Sequence, residues 1–431
     1  MNSPVMRVAV AAAAALGPAA MGGGPALCLN PQPPVPAGTA SEHVAACDVD
    51  GDCLLDLITP NKAQNTVLVL KNNGNGGFAA AVAYAVGPDP EATACADFNG
   101  DGAVDLAVTN EDGNNVSVLL NTGSGTFLPQ VTYGLGSKPR DIVSGDFNGD
   151  DAPDLAIVMR DLNSVRVLTN NGNGTFSGPQ NHPVGADPRF VIACDVDLDG
   201  DLDLVASNSD GQTVSLLRNP GNGAFLPQVS YSAPGDPHGL ACCDLDLDGD
   251  PDLVVAAENN NVVRVLLNSG SGTFALGGSF PVGSLPDAVA CCDLDGDGRM
   301  DVLAVNAGSG TLSVLRNTSP DGGPVSFAPQ ATFATGAIPE YVICGPLDGT
   351  GGADVAVASS GTSTLTYLRN CGQGEFLVGD LDGDGAVGGA DLGLLLGCWG
   401  PCFTTFCPPD LNGDGLVNGA DLGMLLADWT G

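Results

Sequence analysis

The chain has 431 residues, 43% of them hydrophobic, and carries 50 acidic against 13 basic residues, for a formal net charge of −37. That length and hydrophobic content suffice for a large core and exclude a disordered chain. The charge excludes binding through a basic patch to nucleic acid or to an anionic membrane surface.

At the start of the chain Arg7 precedes a short apolar run, Val8 to Leu16, and then small residues suited to cleavage. The run is far shorter than the roughly 20 residues a bilayer crossing needs, so residues 1–26 are expected to be a secretory signal peptide. No later segment is long and apolar enough to span a membrane. Export to an extracellular or cell-surface location also accounts for the 14 cysteines, which can be oxidised outside the cytoplasm.

Residues 27–376 are repetitive. Phe78, Phe127, Phe176, Phe225, Phe274, Phe327 and Phe376 each end a Gly-rich turn, and they stand 49 residues apart at every step but one. That step is 53, because the turn at 317–327 is longer by four residues. Each copy has the order of residues 140–182: RDIVSGD, an acidic turn, PDLAIVMRD, SVRVLTNNG, a Gly-Asn turn and FSGPQNH. Apolar, β-branched runs bounded by Gly, Asn, Asp and Pro are strand signals, four to a copy, and helical periodicity is missing. Seven copies predict an all-β, seven-bladed β-propeller of four-stranded blades; a solenoid, the alternative, usually needs distinct capping ends.

The turn between the first and second strands keeps one spacing, with oxygen donors at positions 1, 3, 5 and 9 and a backbone carbonyl at position 7. Its six members are Asp48, Asp50, Asp52, Leu54 and Asp56; Asp97, Asn99, Asp101, Ala103 and Asp105; Asp146, Asn148, Asp150, Ala152 and Asp154; Asp195, Asp197, Asp199, Asp201 and Asp203; Asp244, Asp246, Asp248, Asp250 and Asp252; and Asp293, Asp295, Asp297, Arg299 and Asp301. Asp and Gly are ordinary turn formers. Yet two carboxylates about 4 Å apart repel by roughly 4 kcal/mol near a protein surface, so this density calls for a cation. Six to eight oxygens in a flexible loop suit calcium, and the absence of histidine argues against softer metals. In the seventh turn Pro346 and Thr350 replace the first and third donors, so weak binding or none is expected there.

DFNGDGAVDLAV followed by NNVSVLLNTGSGTF resembles the FG-GAP/VCBS repeats, which are similar to the calcium-binding blades of integrin α-subunit propellers. The resemblance implies that the calcium hairpins lie on one face and that a protein or glycan ligand meets the other. Here that other face would comprise loops such as 133–140 and 182–189.

Cysteine precedes the first turn aspartate by one residue at Cys47, Cys194, Cys243 and Cys292, and by two at Cys95, Cys242, Cys291 and Cys344. Every cysteine of the first kind is matched by one of the second kind in the next copy. Neighbouring strand residues point to opposite faces, toward the preceding and following blades. The expected inter-blade disulfides are therefore Cys47–Cys95, Cys194–Cys242, Cys243–Cys291 and Cys292–Cys344. Partners for Cys28, Cys53, Cys371, Cys398, Cys402 and Cys407 do not follow from the spacing.

Beyond residue 376 the pattern changes. Asp380, Asp382, Asp384, Ala386 and Asp391, and then Asp410, Asn412, Asp414, Leu416, Asn418 and Asp421, fall at EF-hand positions of two 12-residue loops, each expected to run into an apolar helix, so that a small α-helical paired-loop domain follows the propeller. This pair, residues 377–431, resembles a dockerin type I domain and implies two further calcium ions and a cohesin-like partner. Gly389 with Ala390 and Gly419 with Ala420 depart from the hydroxyl residues usual at the recognition positions, and Gly388 replaces a side-chain ligand.

No nucleophile elbow or phosphate-binding loop is present, and His43, His182 and His238 occupy three different repeat positions, as expected of solvent-facing or structural loop histidines. The reading is a non-catalytic extracellular binding or adhesion scaffold. A lectin-like part of a polysaccharide-degrading assembly is the alternative, although both tryptophans lie outside the repeats and the five tyrosines show no repeated sugar pocket.

Overall fold

The computed structural model describes residues 27–74, 76–349 and 352–371 and, beyond them, 392, 395–396, 400–401 and 416–427. Within the repeat region lie seven antiparallel sheets, six of them built of four consecutive strands from the axis outward and the seventh completed from the start of the region. Blade 2 shows the plan: Pro90–Ala96, Asp105–Asn110, Asn115–Leu119 and Val131–Gly134. The first strands of adjacent blades pack on one another around the axis, while the fourth strands are largely exposed.

The second strands, such as Asp154–Met159 and Asp252–Ala257, are buried at every residue. Both faces of such a strand lie under neighbouring blades, so its sequence reads as a continuous apolar run without alternation. Each core cluster joins two blades: Ile58, Val67 and Val69 of blade 1 pack with Leu106, Val108 and Leu119 of blade 2. Among the described residues, the Phe closing the Gly-rich turn adds an aromatic contact to the preceding blade in copies 1 to 6. Tyr84 meets Phe127 and Tyr231 meets Phe274 edge to face, and His182 takes the same place against Phe225. Four of the five tyrosines, Tyr84, Tyr133, Tyr231 and Tyr367, thus serve blade packing.

The ring closes in a way the repeat period does not reveal. Blade 7 takes its outermost position from the other end of the repeat region: Leu29–Pro31 and Val35–Pro36 pair with its third strand, Thr364–Asn370. Cys28 is disulfide-bonded to Cys371 across this seam, with Cα atoms 5.4 Å apart. The inter-blade bonds Cys47–Cys95, Cys194–Cys242, Cys243–Cys291 and Cys292–Cys344 are also present, with Cα separations of 6.4–6.6 Å. No described cysteine is a free thiol.

In the C-terminal segment a helix, Gly419–Ala427, follows a short strand, Leu416–Val417, paired with Gly400–Pro401. Asn418 caps the helix: its Oδ1 accepts the Ala420 amide at 2.8 Å, and Asp421 Oδ2 accepts the Asn418 amide at 2.8 Å. This reciprocal pairing starts a helix firmly. Residues 1–26, the loop positions Asp380, Asp382, Asp384, Ala386, Asp391, Asp410, Asn412 and Asp414, and Cys398, Cys402 and Cys407 lie outside the described residues.

Candidate functional site: two ends of the propeller axis

Each first strand runs into its acidic turn, so the six turns gather at one end of the axis. Within a turn, the first aspartate organises the backbone. Asp97 Oδ1 accepts the amides of Gly100 and Asp101, and its Oδ2 accepts that of Gly102 at 2.7 Å. The fifth-position aspartate accepts the amide of position 7, as in Asp101 with Ala103 and Asp297 with Arg299. Gly100 and Gly102 adopt φ of +74° and +90°, which only glycine does without strain.

The ninth-position aspartate has a second task. Asp105 Oδ2 accepts the Phe98 amide at 3.0 Å, and Oδ1 accepts the Asn121 amide at 2.6 Å. Asn121 in turn donates from Nδ2 to Val104 and, across the blade boundary, to the Val49 carbonyl. The same bridge joins Asn170 to Phe98, Asn219 to Phe147, Asn268 to Val196, Asn317 to Leu245 and Asn370 to Leu294, and Asn72 closes the circle on Leu347. This asparagine opens the Gly-rich turn of every copy. Sequence reasoning treats it as a turn former, yet its invariance among the seven copies is the signal that it does more.

The carboxylates left over converge. Asp48, Asp50 and Asp56 place ligand atoms within 4.8 Å of one another, as do Asp195, Asp197 and Asp199, and Asp244, Asp246 and Asp248. Buried oxygens of Asp50, Asp197, Asp244, Asp246 and Asp295 find no hydrogen-bond partner. Burial, followed by the charges of Asp248 and Asp244, pushes the Asp246 carboxyl up to about 6. Burial likewise raises Asp293 to about 7, with Asp297 and Asp295 adding to the shift. Orphaned buried oxygens among like charges fit a hard cation.

Some turns already hold a positive side chain. Lys71 Nζ lies 3.0 Å from Asp50, and Arg316 lies 3.3 Å from Asp295. Arg369 pairs with Asp348 in the seventh turn, where two donors are missing. The same strand position carries Leu120, Thr169 and Leu267 in blades 2, 3 and 5.

At the other end of the axis the repeats diverge. The first strand of every blade from 2 to 7 has a register shift just after its opening proline, between Pro90 and Thr93 in blade 2 and between Pro139 and Ile142 in blade 3. A bulge sets two residues against one and re-aims side chains. Consecutive residues therefore both line a recess at this end of the axis, Arg140 with Asp141 and Glu340 with Tyr341, and Glu42 with His43, which precede the first strand of blade 1, line it too. Strict strand alternation would send one of each pair elsewhere. The first bulge position around the ring reads Glu42, Glu91, Arg140, Arg189, His238, Asp287 and Glu340.

His43 is buried against Tyr341 and held far below the usual imidazole range, at about 3, by burial. Asp141 accepts the Val191 amide at 2.9 Å, and burial pushes it up to about 6. His43 and His238 are buried, which fits the structural rather than the solvent-facing expectation: His43 lines this recess and His238 opens the first strand of blade 5 beside it. From the loops expected to form this face, Lys138 with Ala186 and Asp187 line a second, wider depression together with Glu111 and Arg160.

Solved structures share this architecture. A virginiamycin B lyase from Staphylococcus aureus is similar over 80% of this chain and 99% of its own, with 12% identity and a TM-score of 0.54. BBS1N in complex with ARL6DN is similar over 80% of this chain and 96% of its own, with 13% identity and a TM-score of 0.56. At such identities the likeness is one of fold alone. No curated protein sequence matches the chain. The family model of the FG-GAP-like repeat matches residues 48–108, 97–157, 146–206, 195–255, 244–304 and 293–357. These matches follow the 49-residue step from one acidic turn to the next, and the chain belongs to the FG-GAP-like repeat family.

Proposed function

We propose that the protein is an exported propeller, loaded with about six calcium ions in its turns, that acts outside the cell as a non-catalytic binding scaffold. The observation that carries this reading is the set of buried, partnerless carboxylate oxygens in the acidic turns. In blade 2, Asp97, Asn99, Asp101, the Ala103 carbonyl and Asp105 would hold the ion. Bound calcium neutralises charge that otherwise disfavours the turn, and so sets the ends of the first strands. Export is supported by the disulfides, which persist in oxidising compartments.

The partner surface in this reading is the divergent end. A protein or glycan with mixed charge fits its alternation of Glu, Arg, His and Asp better than a nucleic acid or an anionic membrane does. The C-terminal segment would hold two more ions and dock to a cohesin-like partner, with Asn418 and Asp421 at the start of its second helix.

Calcium titration of the full chain by calorimetry, with metal analysis after dialysis, tests the first half; about eight ions are expected, and none bound at millimolar calcium refutes it. Capture of surface extract from the source cells tests the second. An Arg140→Ala/Arg189→Ala variant should lose a propeller ligand, and an Asp421→Ala variant should lose only a tail ligand. Equal capture by both variants and the parent chain would end the scaffold reading.

A further inference from the structure

One cluster at the divergent end lies beside the recess and shares Asp287 with it. His238 opens the first strand of blade 5, Asp236 lies two residues before it, and Glu258 begins the turn after the second strand. Backbone hydrogen bonds from Glu258 to Asp236 and from Asn259 to Gly235 fasten these two loops together. His238 Nε2 stands 3.2 Å from Glu258 Oε2 and 3.8 Å from Asp236 Oδ1. On its other side Nδ1 lies 2.6 Å from Asp287 Oδ1 of blade 6.

That approach depends on Gly239. A Cβ there would stand 2.5 Å from the Ala288 Cα and 2.7 Å from the Asp287 carbonyl oxygen. Blades 1 to 4 and 6 to 7 carry side chains at this position: His43, Ala92, Asp141, Phe190, Ala288 and Tyr341. The glycine lets the next blade's backbone come close enough to deliver Asp287 to the imidazole.

Elsewhere on this face several of the acids are paired with Lys or Arg. Lys62 pairs with Glu42, Asp89 and Glu91, Lys138 with Glu111, and Arg160 and Arg189 with Asp187. Among the described residues Asp236, Glu258 and Asp287 form ion pairs with His238 alone. If Nδ1 donates its hydrogen to Asp287, Nε2 directs a lone pair at two carboxylates, an acceptor facing acceptors. The arrangement is stable only with a proton or a metal ion between them.

We propose that Asp236, His238 and Glu258 bind one first-row divalent cation of the zinc class, with Asp287 as the positioning residue behind the histidine. Ligands about 2.0–2.1 Å from a tetrahedral ion stand about 3.4 Å apart, and the two Nε2 distances, 3.2 and 3.8 Å, bracket that value. A carboxylate on the distal imidazole nitrogen is the usual support of a metal-bound histidine. Imidazole selects zinc-like ions over calcium, so this site and the acidic turns sort two cations to opposite ends of one molecule. Three protein ligands leave a coordination position for water or for a donor atom of a partner. Ser209 and Asn259, which donate to the two oxygens of Asp236, hold that carboxylate in place.

The test uses the untagged full chain with its turns saturated by calcium, and zinc chloride as the probe. Equilibrium dialysis should find one zinc per chain, and cobalt(II) in its place should give the visible absorption of a nitrogen- and oxygen-ligated ion. His238→Ala should abolish both signals and Asp287→Ala should weaken zinc binding about 10–100-fold. Should those variants unfold, Glu258→Gln, with its half-exposed side chain, still reports. Zinc binding of unaltered affinity in folded Glu258→Gln or His238→Ala, or no zinc on the parent chain, would overturn the proposal and leave a protonated histidine among three acids.

Discussion

The two ends of the first strands obey different rules. At the turn end, seven copies repeat the same asparagine bridge and six repeat the same acidic spacing, so each blade contributes an interchangeable part. At the opposite end, the corresponding position reads Glu, Glu, Arg, Arg, His, Asp and Glu around the ring, and the residue after it differs between every two neighbouring blades. Repetition is what a closed ring needs from its fastenings, since each blade must grip the next in the same way. Variation is what a surface needs to distinguish one partner from another. Holding the ring falls to the first end, and under the proposed scaffold function selectivity falls to the second.

The sharpest way to break that assignment is to open the seam. Cys28–Cys371 spans 343 residues of chain, and the chain-entropy model gives such a crosslink about 6 kcal/mol, against about 4 kcal/mol for one of the 48-residue crosslinks. Denaturant unfolding of Cys371→Ser should show a loss near the larger figure, and of Cys95→Ser a smaller one. An equal or smaller loss at the seam would mean that closure does not limit stability.

At the divergent end His43 should make stability depend on acid. Its folded-state value of about 3 lies below the ordinary imidazole value of 6.5, so the unfolded chain takes up a proton that the folded one refuses. The stabilisation is complete above pH 6.5 and is lost as pH falls toward 3, by at most about 1.4 kcal/mol per unit. In His43→Phe this part of the acid limb should flatten; thermal melts from pH 7 to 4 would show it, and an unchanged slope would refute it.

Smaller effects separate the ends further. Asn170→Ala strips the Phe98 and Pro153 carbonyls of a buried donor and should cost about 1–3 kcal/mol, with no effect on any ligand of the opposite face. The smallest change concerns the turns' own cations. Lys71→Ala removes the charge beside Asp50 and should strengthen calcium binding in blade 1 about fivefold, while Leu120→Lys should weaken blade 2 by a similar factor. Site-resolved calcium titration of the two variants would show whether resident cations grade the turns.

Much of the turn end was legible from residue order. The 49-residue period, the donors at alternate positions and the paired cysteine offsets are all local or strictly periodic, and periodic features declare their geometry through spacing. The spacing marks the ninth aspartate as a candidate ligand but not as the acceptor of two backbone amides, because the donors come from residues 7 positions before it and 16 after it. The divergent end was less legible. A bulge leaves no mark in the order of apolar residues, so the doubling of side chains lining the recess, and with it Asp141 beside Arg140, does not follow from alternation.

By itself the sequence determined the repeat, the four strands of a copy, the acidic turns and the partners of eight cysteines, because each is written within one or two periods. Only the tertiary structure decided what closes the circle and what meets across blade boundaries at the channel mouth. The ring's two ends join residues 343 positions apart, and Asp287 reaches His238 only because a glycine lets one blade approach the next. Contacts of that kind depend on where the whole chain brings its surfaces together.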